Sequence, residues 1–187
     1  MEPFKYFLKP EEVILVIIDI QEKLVKAMPE DIAKIVIQNN IILIELCKIY
    51  NIPILLTEQY PKGLGQTVEE IKRVLPEYEP IEKITFNSCL EPKFMEKLEK
   101  NNRKKVILTG IETHICVYQT ALDLLNKDYI VYLPKDAVCS RKKQNWETGL
   151  MLVSLAGGVV ADTETLIFQV LERAGTEEFK KMVKYIK

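Results

Sequence analysis

Residues Lys105–Leu125 read KVILTGIETHICVYQTALDLL. The opening five, Lys105–Thr109 (KVILT), are a short apolar run with β-branched residues, as in a strand buried on both faces. The closing eleven, Ile115–Leu125, carry an apolar helical stripe. Gly110–His114 lies between them as a turn. The stretch therefore predicts a buried strand that passes through a tight turn into a helix, which is half of a βαβ unit.

The same alternation extends in both directions. Upstream, Val13–Asp19 (VILVIID) is a continuous apolar strand. Asp31–Tyr50 is a helix with a stripe through Ile32, Ile35, Val36, Asn39, Ile42, Leu43 and Leu46, and Asn51 is its stop signal. Pro53–Thr57 (PILLT) is a second strand. A loop, EQYPKGLGQ, then leads to a short helix over Val68–Leu75. Glu82–Thr85 reads as a short strand and Pro92–Lys100 as a helix. Downstream come a strand at Ile130–Leu133, a helix at Lys142–Leu155 and a strand at Val159–Ala161. Helices at Glu164–Arg173 and Glu177–Ile186 follow, with Gly175 between them. Such alternation implies a mostly parallel sheet with helices on both faces. Ligands bind beyond the carboxyl ends of the strands in such sheets. Asp19, Thr57, Glu58, Asp136 and the Gly110–Cys116 turn are thus the first places to look for chemistry.

A length of 187 residues fits one compact domain, and 48% apolar residues argue against disorder. With 26 basic and 27 acidic residues the net charge is −1, which gives no electrostatic reason to expect nucleic acid or an anionic membrane as partner. The start, MEPFKYFLKPEE, lacks a signal-peptide pattern, and Val13–Ile18 is too short to span a bilayer. A cytoplasmic protein is expected. Its cysteines, Cys47, Cys89, Cys116 and Cys139, have no metal-finger spacing and should be thiols in a reducing compartment.

Asp19 ends the most apolar strand, where an acid is costly to bury unless paired. It reads either as a cap for the helical turn QEKL or as a general base. Cys116 stands where a helix begins, so the dipole favours its thiolate and free backbone N–H groups can hold an oxyanion. The plainer reading is a small buried residue. Lys83, in EPIEKITF, is either a solvated lysine or a cation beside the thiol. His114 is the only histidine. It excludes paired-histidine metal motifs, and it reads as a base close to Cys116 in sequence or, more plainly, as lining the pocket mouth or capping the turn. Cys47 reads as core, Cys139 as a neighbour of the site without chemistry, and Cys89 as the one other thiol that is a pocket candidate. Gly63 and Gly65 lack phosphate-loop spacing.

Three segments together resemble the isochorismatase-like cysteine hydrolases, in particular the isochorismatase domain-containing proteins. They are VIIDIQEKL around Asp19, EKITFNSC around Lys83, and LTGIETHICVYQTALDLL around Cys116, with TEQYPKGLG upstream of the last and DAVCSR after it. The likeness runs from Val13 to the final helices. It implies a single domain over residues 1–187, a Rossmann-like three-layer α/β/α sandwich around a parallel sheet of about six strands. It implies catalysis by Asp19, Lys83 and Cys116, a cis peptide at Ile111–Glu112, and an oxyanion hole made by the Glu112 and Cys116 amides. The substrate pocket is expected to draw on Gln21, Glu58, Tyr60, Phe86 and His114. Nicotinamidases of this superfamily carry a metal-binding Asp and paired histidines after the second strand. LLTEQYPKGLG has no histidine, so neither metal nor other cofactor is expected. Isochorismatases that cleave a vinyl ether can lack the cysteine, so its presence points to acyl chemistry on a small amide. Relatives of this type form dimers or larger assemblies, and a homo-oligomer is expected. Two rivals stand beside this reading. One is a thiol redox protein in which Cys89 or Cys139 resolves Cys116; the other is a non-catalytic interaction protein.

Overall fold

The computed structural model describes residues 6–186. The reading of the first residues of MEPFKYFLKPEE lies outside them. Among the described residues seven strands form one sheet: β1 Val13–Ile18, β2 Ile54–Gln59, β3 Ile81–Lys83, β4 Lys105–Ile111, β5 Ile130–Pro134, β6 Val138–Cys139 and β7 Val159–Ala161. The spatial order is β3-β2-β1-β4-β5-β7, and β6 pairs with the end of β4. Every pairing is parallel. The helices are α1 Glu22–Ala27, α2 Glu30–Tyr50, α3 Pro61–Leu64, α4 Glu69–Lys72, α5 Pro92–Lys100, α6 Tyr118–Asn126, α7 Lys143–Leu155, α8 Thr163–Leu171 and α9 Glu177–Ile186.

The unbroken apolar run of β1 follows from its place at the centre of the sheet. Val13, Leu15 and Ile17 pack on one face against α2, α8 and α9. Ile14, Val16 and Ile18 pack on the other face with Phe94 and Leu98 of α5, Ala121 and Leu124 of α6, and Val153 of α7. All six are fully buried, and each contributes about 1.5–3 kcal/mol by leaving water. A strand covered on both faces has no position for a polar side chain until it ends.

Several elements differ from the sequence reading: β3 is Ile81–Lys83 and not Glu82–Thr85, β4 runs on to Ile111, α4 is Glu69–Lys72 and not Val68–Leu75, and α8 is Thr163–Leu171 and not Glu164–Arg173. β2 runs on to Gln59, because Glu58 and Gln59 pair with Glu82 and Lys83 although their side chains are polar. β6 is a strand beyond the six expected; its two residues, Val138 and Cys139, pair with Gly110 and Ile111. The helix expected from Ile115 begins instead as a π-helical turn, Thr113–Val117, that runs into α6. The α2 stripe is also shorter than its period suggests. Ile32 and Ile35 are 40% and 51% exposed, since the first turns of α2 leave their outer side uncovered. Asn51 ends α2 in the left-handed conformation (φ 53), as a helix stop should.

Strand order reverses between β1 and β4. The chain builds outward from β1 through β2 to β3, then returns to lay β4 on the other side of β1. A crevice opens where neighbouring connections part in this way. One glycine makes the junction possible. A Cβ on Gly110 (φ 117) would lie 1.9 Å from the Ile18 carbonyl oxygen.

Candidate active site

β1 ends at Ile18, and Asp19 turns the chain with φ 51. Its amide still donates to the Thr57 carbonyl at 3.2 Å, so the residue stays in register with the sheet. Its side chain is fully enclosed. Thr57 Oγ1 donates to Oδ1 at 2.7 Å and Lys83 Nζ to Oδ2 at 2.6 Å. The ammonium of Lys83 is equally enclosed and also donates to Gln59 Oε1 at 2.7 Å. The Thr85 and Phe86 carbonyls, at 3.3 and 3.4 Å, complete its surroundings.

Parallel register explains why these groups meet. Ile18 pairs with Thr57, Thr57 with Ile81, and Gln59 with Lys83. Thr57 and Gln59 are two apart on β2 and so share a face. Glu58 points the other way. Its Oε1 accepts from the Thr67 amide at 2.6 Å, from Thr67 Oγ1 at 2.7 Å and from the Tyr78 hydroxyl.

Cys116 belongs to the π-helical turn after β4, and only 6% of it is exposed. The turn begins at the Ile111–Glu112 peptide bond, which is cis. The thiol lies near enough to the Asp19 carboxylate for each group to shift the other's titration. Burial, then the negative charge of Asp19, push the Cys116 thiol up to about 12, with Lys83 pulling against them. Burial also raises Asp19 above its ordinary value, while Lys83 opposes the shift by charge and hydrogen bond. On this balance the charged form of the thiol is disfavoured beside the Lys83–Asp19 salt bridge. Burial thus works against the thiolate that a helix start was expected to favour.

The rest of the turn is tied to the segment that follows β6. The Glu112 carboxylate accepts from the Arg141 amide at 2.9 Å and from Arg141 Nε at 3.1 and 3.2 Å. His114 Nδ1 lies 2.9 Å from Ser140 Oγ, and its Nε2 lies 3.2 Å from Asn145 Nδ2. Both ring nitrogens are thereby occupied.

The isochorismatase domain family matches residues 13–165, a span holding all of these groups. The chain belongs to the isochorismatase family. It is 36% identical over 183 residues to a secreted isochorismatase effector of Phytophthora sojae, covering 95% of this chain and 86% of that one. It is 33% identical over 182 residues to isochorismatase domain-containing protein 2A of mouse, covering 95% and 84%. The solved structure of the MAR1 ribonuclease from Caenorhabditis elegans superposes with a TM-score of 0.89 at 34% identity, covering 96% of this chain and 92% of the other. The subgroup and the parallel α/β fold anticipated from the three motifs are both as expected. The fold is that of isochorismatase-family hydrolases.

Within this isochorismatase fold the remaining pocket candidates separate into two kinds. Gln21 and Glu58 are buried and spend their polar atoms on the chain itself. Gln21 accepts from the Gln59 amide at 2.7 Å and donates to the carbonyls of Gln59 at 3.0 Å and Gly65 at 2.6 Å. Tyr60 and Phe86 are more than half exposed on either side of Lys83; Tyr60 N donates to the Lys83 carbonyl at 2.9 Å. A groove of about 440 Å³ lies elsewhere, between α2 and the start of α7, and includes Ile32, Ile35, Cys139, Ser140 and Trp146. Its lining is apolar, and none of Asp19, Lys83 or Cys116 belongs to it. Two residues that touch the cluster were not foreseen. Gln59 would have emerged had the alternation Thr57–Glu58–Gln59 been continued as strand. Arg141 ends the DAVCSR segment of the resemblance, but nothing in an arginine after a serine singled it out as a contact of the turn.

Proposed function

We propose that this chain is a metal-independent cysteine hydrolase that acts on a small-molecule amide or related acyl bond. The observation that carries the reading is the Asp19 carboxylate, held by Lys83 on one oxygen and adjoining the Cys116 thiol in a buried strand-end crevice. A base that stays ionised because a cation is bound to it can take a proton from a thiol too weakly acidic to lose it alone.

In this reading Asp19 accepts the Cys116 proton as sulfur attacks the substrate carbonyl. Carbon–sulfur bond formation sends the carbonyl π pair onto oxygen, where the Glu112 and Cys116 amides hold it. Collapse expels the amine, which leaves with the proton from Asp19. Water then gives a proton to Asp19 and attacks the thioester. The carbon–sulfur bond breaks, and the thiolate recovers the proton. Lys83 keeps Asp19 oriented and ionised throughout. Tyr60 and Phe86 border the mouth, and His114 backs the turn.

The protein is read as one domain that works in the cytoplasm, although the Phytophthora sojae relative is described as secreted. Among the described residues no helix is long and apolar enough to cross a membrane. It is read as a homo-oligomer, because Ile32, Ile35, Met151 and Leu155 stay exposed on the single chain.

The test is ammonia release across a panel of small amides. Turnover should vanish in Cys116→Ala and Asp19→Asn and persist after prolonged chelator treatment. Among the described residues no three His, Cys, Asp or Glu side chains are grouped to hold a metal ion. Single-stranded RNA belongs in the same panel, since the Caenorhabditis elegans relative is described as a ribonuclease. RNA cleavage that survives Cys116→Ala, with no amide turned over, would overturn the reading. So would a reversible Cys116 disulfide in a protein without hydrolytic activity.

A further inference from the structure

The steps above use the Glu112 amide and leave its carboxylate without a task. That side chain is 6% exposed, and a buried charge is costly unless paired. Its partner is Arg141, which meets it through both the main chain and the guanidinium. The neighbouring residues of the turn are fixed to the same segment. A Cβ on Gly149 of α7 would lie 2.9 Å from the Thr113 carbonyl carbon and 3.0 Å from the His114 nitrogen, so helix and turn are in direct backbone contact. His114 is fastened to Ser140 and Asn145. Glu112, Thr113 and His114 are thus each braced from residues 140–149, and Cys116 follows two residues later.

Of these braces, only Arg141 ends in solvent, with 58% of its side chain exposed. It can be replaced without opening a hole in the core. We propose that Arg141 is a positioning residue of the nucleophile turn: by gripping the Glu112 side chain it fixes the Glu112 amide relative to the Cys116 sulfur. This rests on the reading of Cys116 as nucleophile. The guanidinium has a second effect. The charged groups facing the thiol are Asp19 after β1, Lys83 of β3 and Glu112 of the turn. Lys83 is matched by Asp19, and Arg141 matches Glu112. Loss of Arg141 leaves an uncompensated anion beside a sulfur that must become negative.

Two electrophiles separate positioning from general loosening. Iodoacetamide reacts by displacement: the carbon–sulfur bond forms as iodide leaves, and no charge gathers on the carbonyl oxygen. Acrylamide reacts by addition. Sulfur bonds to the terminal carbon, the π pair moves onto the carbonyl oxygen, and the proton that Asp19 took from the thiol ends on the adjacent carbon. Only the addition gains from oxyanion donors. The readout is the ratio of the two rates at Cys116, followed by peptide mass spectrometry alongside thermal melting. In Arg141→Met the acrylamide-to-iodoacetamide ratio should fall about tenfold. Arg141→Lys should restore part of it, since lysine returns the charge but not the fork. An unchanged ratio in Arg141→Met, whether both rates hold or fall together, overturns the assignment alone. A wild-type Cys116 inert to both reagents overturns the nucleophile reading and this assignment with it.

Discussion

Lys83 Nζ lies 2.6 Å from Asp19 Oδ2 across 64 residues of sequence, and water reaches neither side chain. Breaking such a pair by removing one member costs about 3–5 kcal/mol, because the survivor is left charged and enclosed. Lys83→Met should therefore lower unfolding free energy by about that much in a denaturant titration. Adding Asp19→Asn to Lys83→Met should recover most of the stability and none of the turnover. A Lys83→Met protein as stable as the parent would show that the pair does not hold its charges in solution.

The pH dependence of Cys116 labelling should carry the signature of Asp19 and not of a free thiolate. Asp19 is raised by burial, so its ionised fraction falls as pH drops through a value above 3.8, and reactivity falls with it. The thiol, pushed up to about 12, has no titration of its own near neutrality. Iodoacetamide labelling should fall on the acid side along a limb that disappears in Asp19→Asn, and should not climb through the neutral to mildly alkaline range. A rise of about tenfold per pH unit across that window would instead mean that free thiolate is the reactive form.

All four thiols are buried, yet they should label in an order. Cys116 alone has a carboxylate positioned to take its proton. Cys47 is raised furthest, by complete burial in α2, and should be slowest. Timed labelling and peptide mass spectrometry check this; faster modification of Cys89 or Cys139 than of Cys116 would contradict it.

Gly110→Ala should be among the most damaging single substitutions in the chain. The added carbon would meet the Ile18 carbonyl at 1.9 Å, and φ 117 disfavours any side chain. Both β1 and β4 would have to shift where Asp19 and the turn begin. A loss of about 3 kcal/mol or more in unfolding free energy is expected, with Cys116 labelling lost in whatever still folds.

Light scattering at micromolar concentration should give a multiple of the 21.7 kDa chain mass. Ile35→Lys together with Leu155→Lys should shift it toward one chain if the exposed apolar residues are the contacts. A single-chain mass for the parent protein would refute the oligomer.

What was legible in the sequence was what hydropathy encodes. β1 and β4 are apolar because both their faces are covered, and that pattern located their ends, hence Asp19 and Cys116. Lys83 was legible only through a motif; the pairing that carries it to Asp19 is set by the register of β2 and β3, which leaves no periodic trace. Gln59 was hidden because a strand that leaves the core can continue with polar residues. The π-helical turn was read as the start of a helix, since both place apolar residues on similar faces. Ile32 and Ile35 misled in the opposite direction. They keep the apolar period of α2, but α2 begins before anything among the described residues covers that side.

β2 is held from both sides near its end. On one face Gln21 clasps Gln59 and Gly65, and on the other Glu58 binds Thr67 and Tyr78. The segment from Tyr60 to Thr67 is thereby bolted at its start, its middle and its end. It cannot serve as a flap that folds over a guest. On the proposed reading of Cys116 as nucleophile, a molecule that reaches the turn meets on this side a rim whose outline was settled when the chain folded, so selection would work by fit to a standing shape with little ordering left to oppose association.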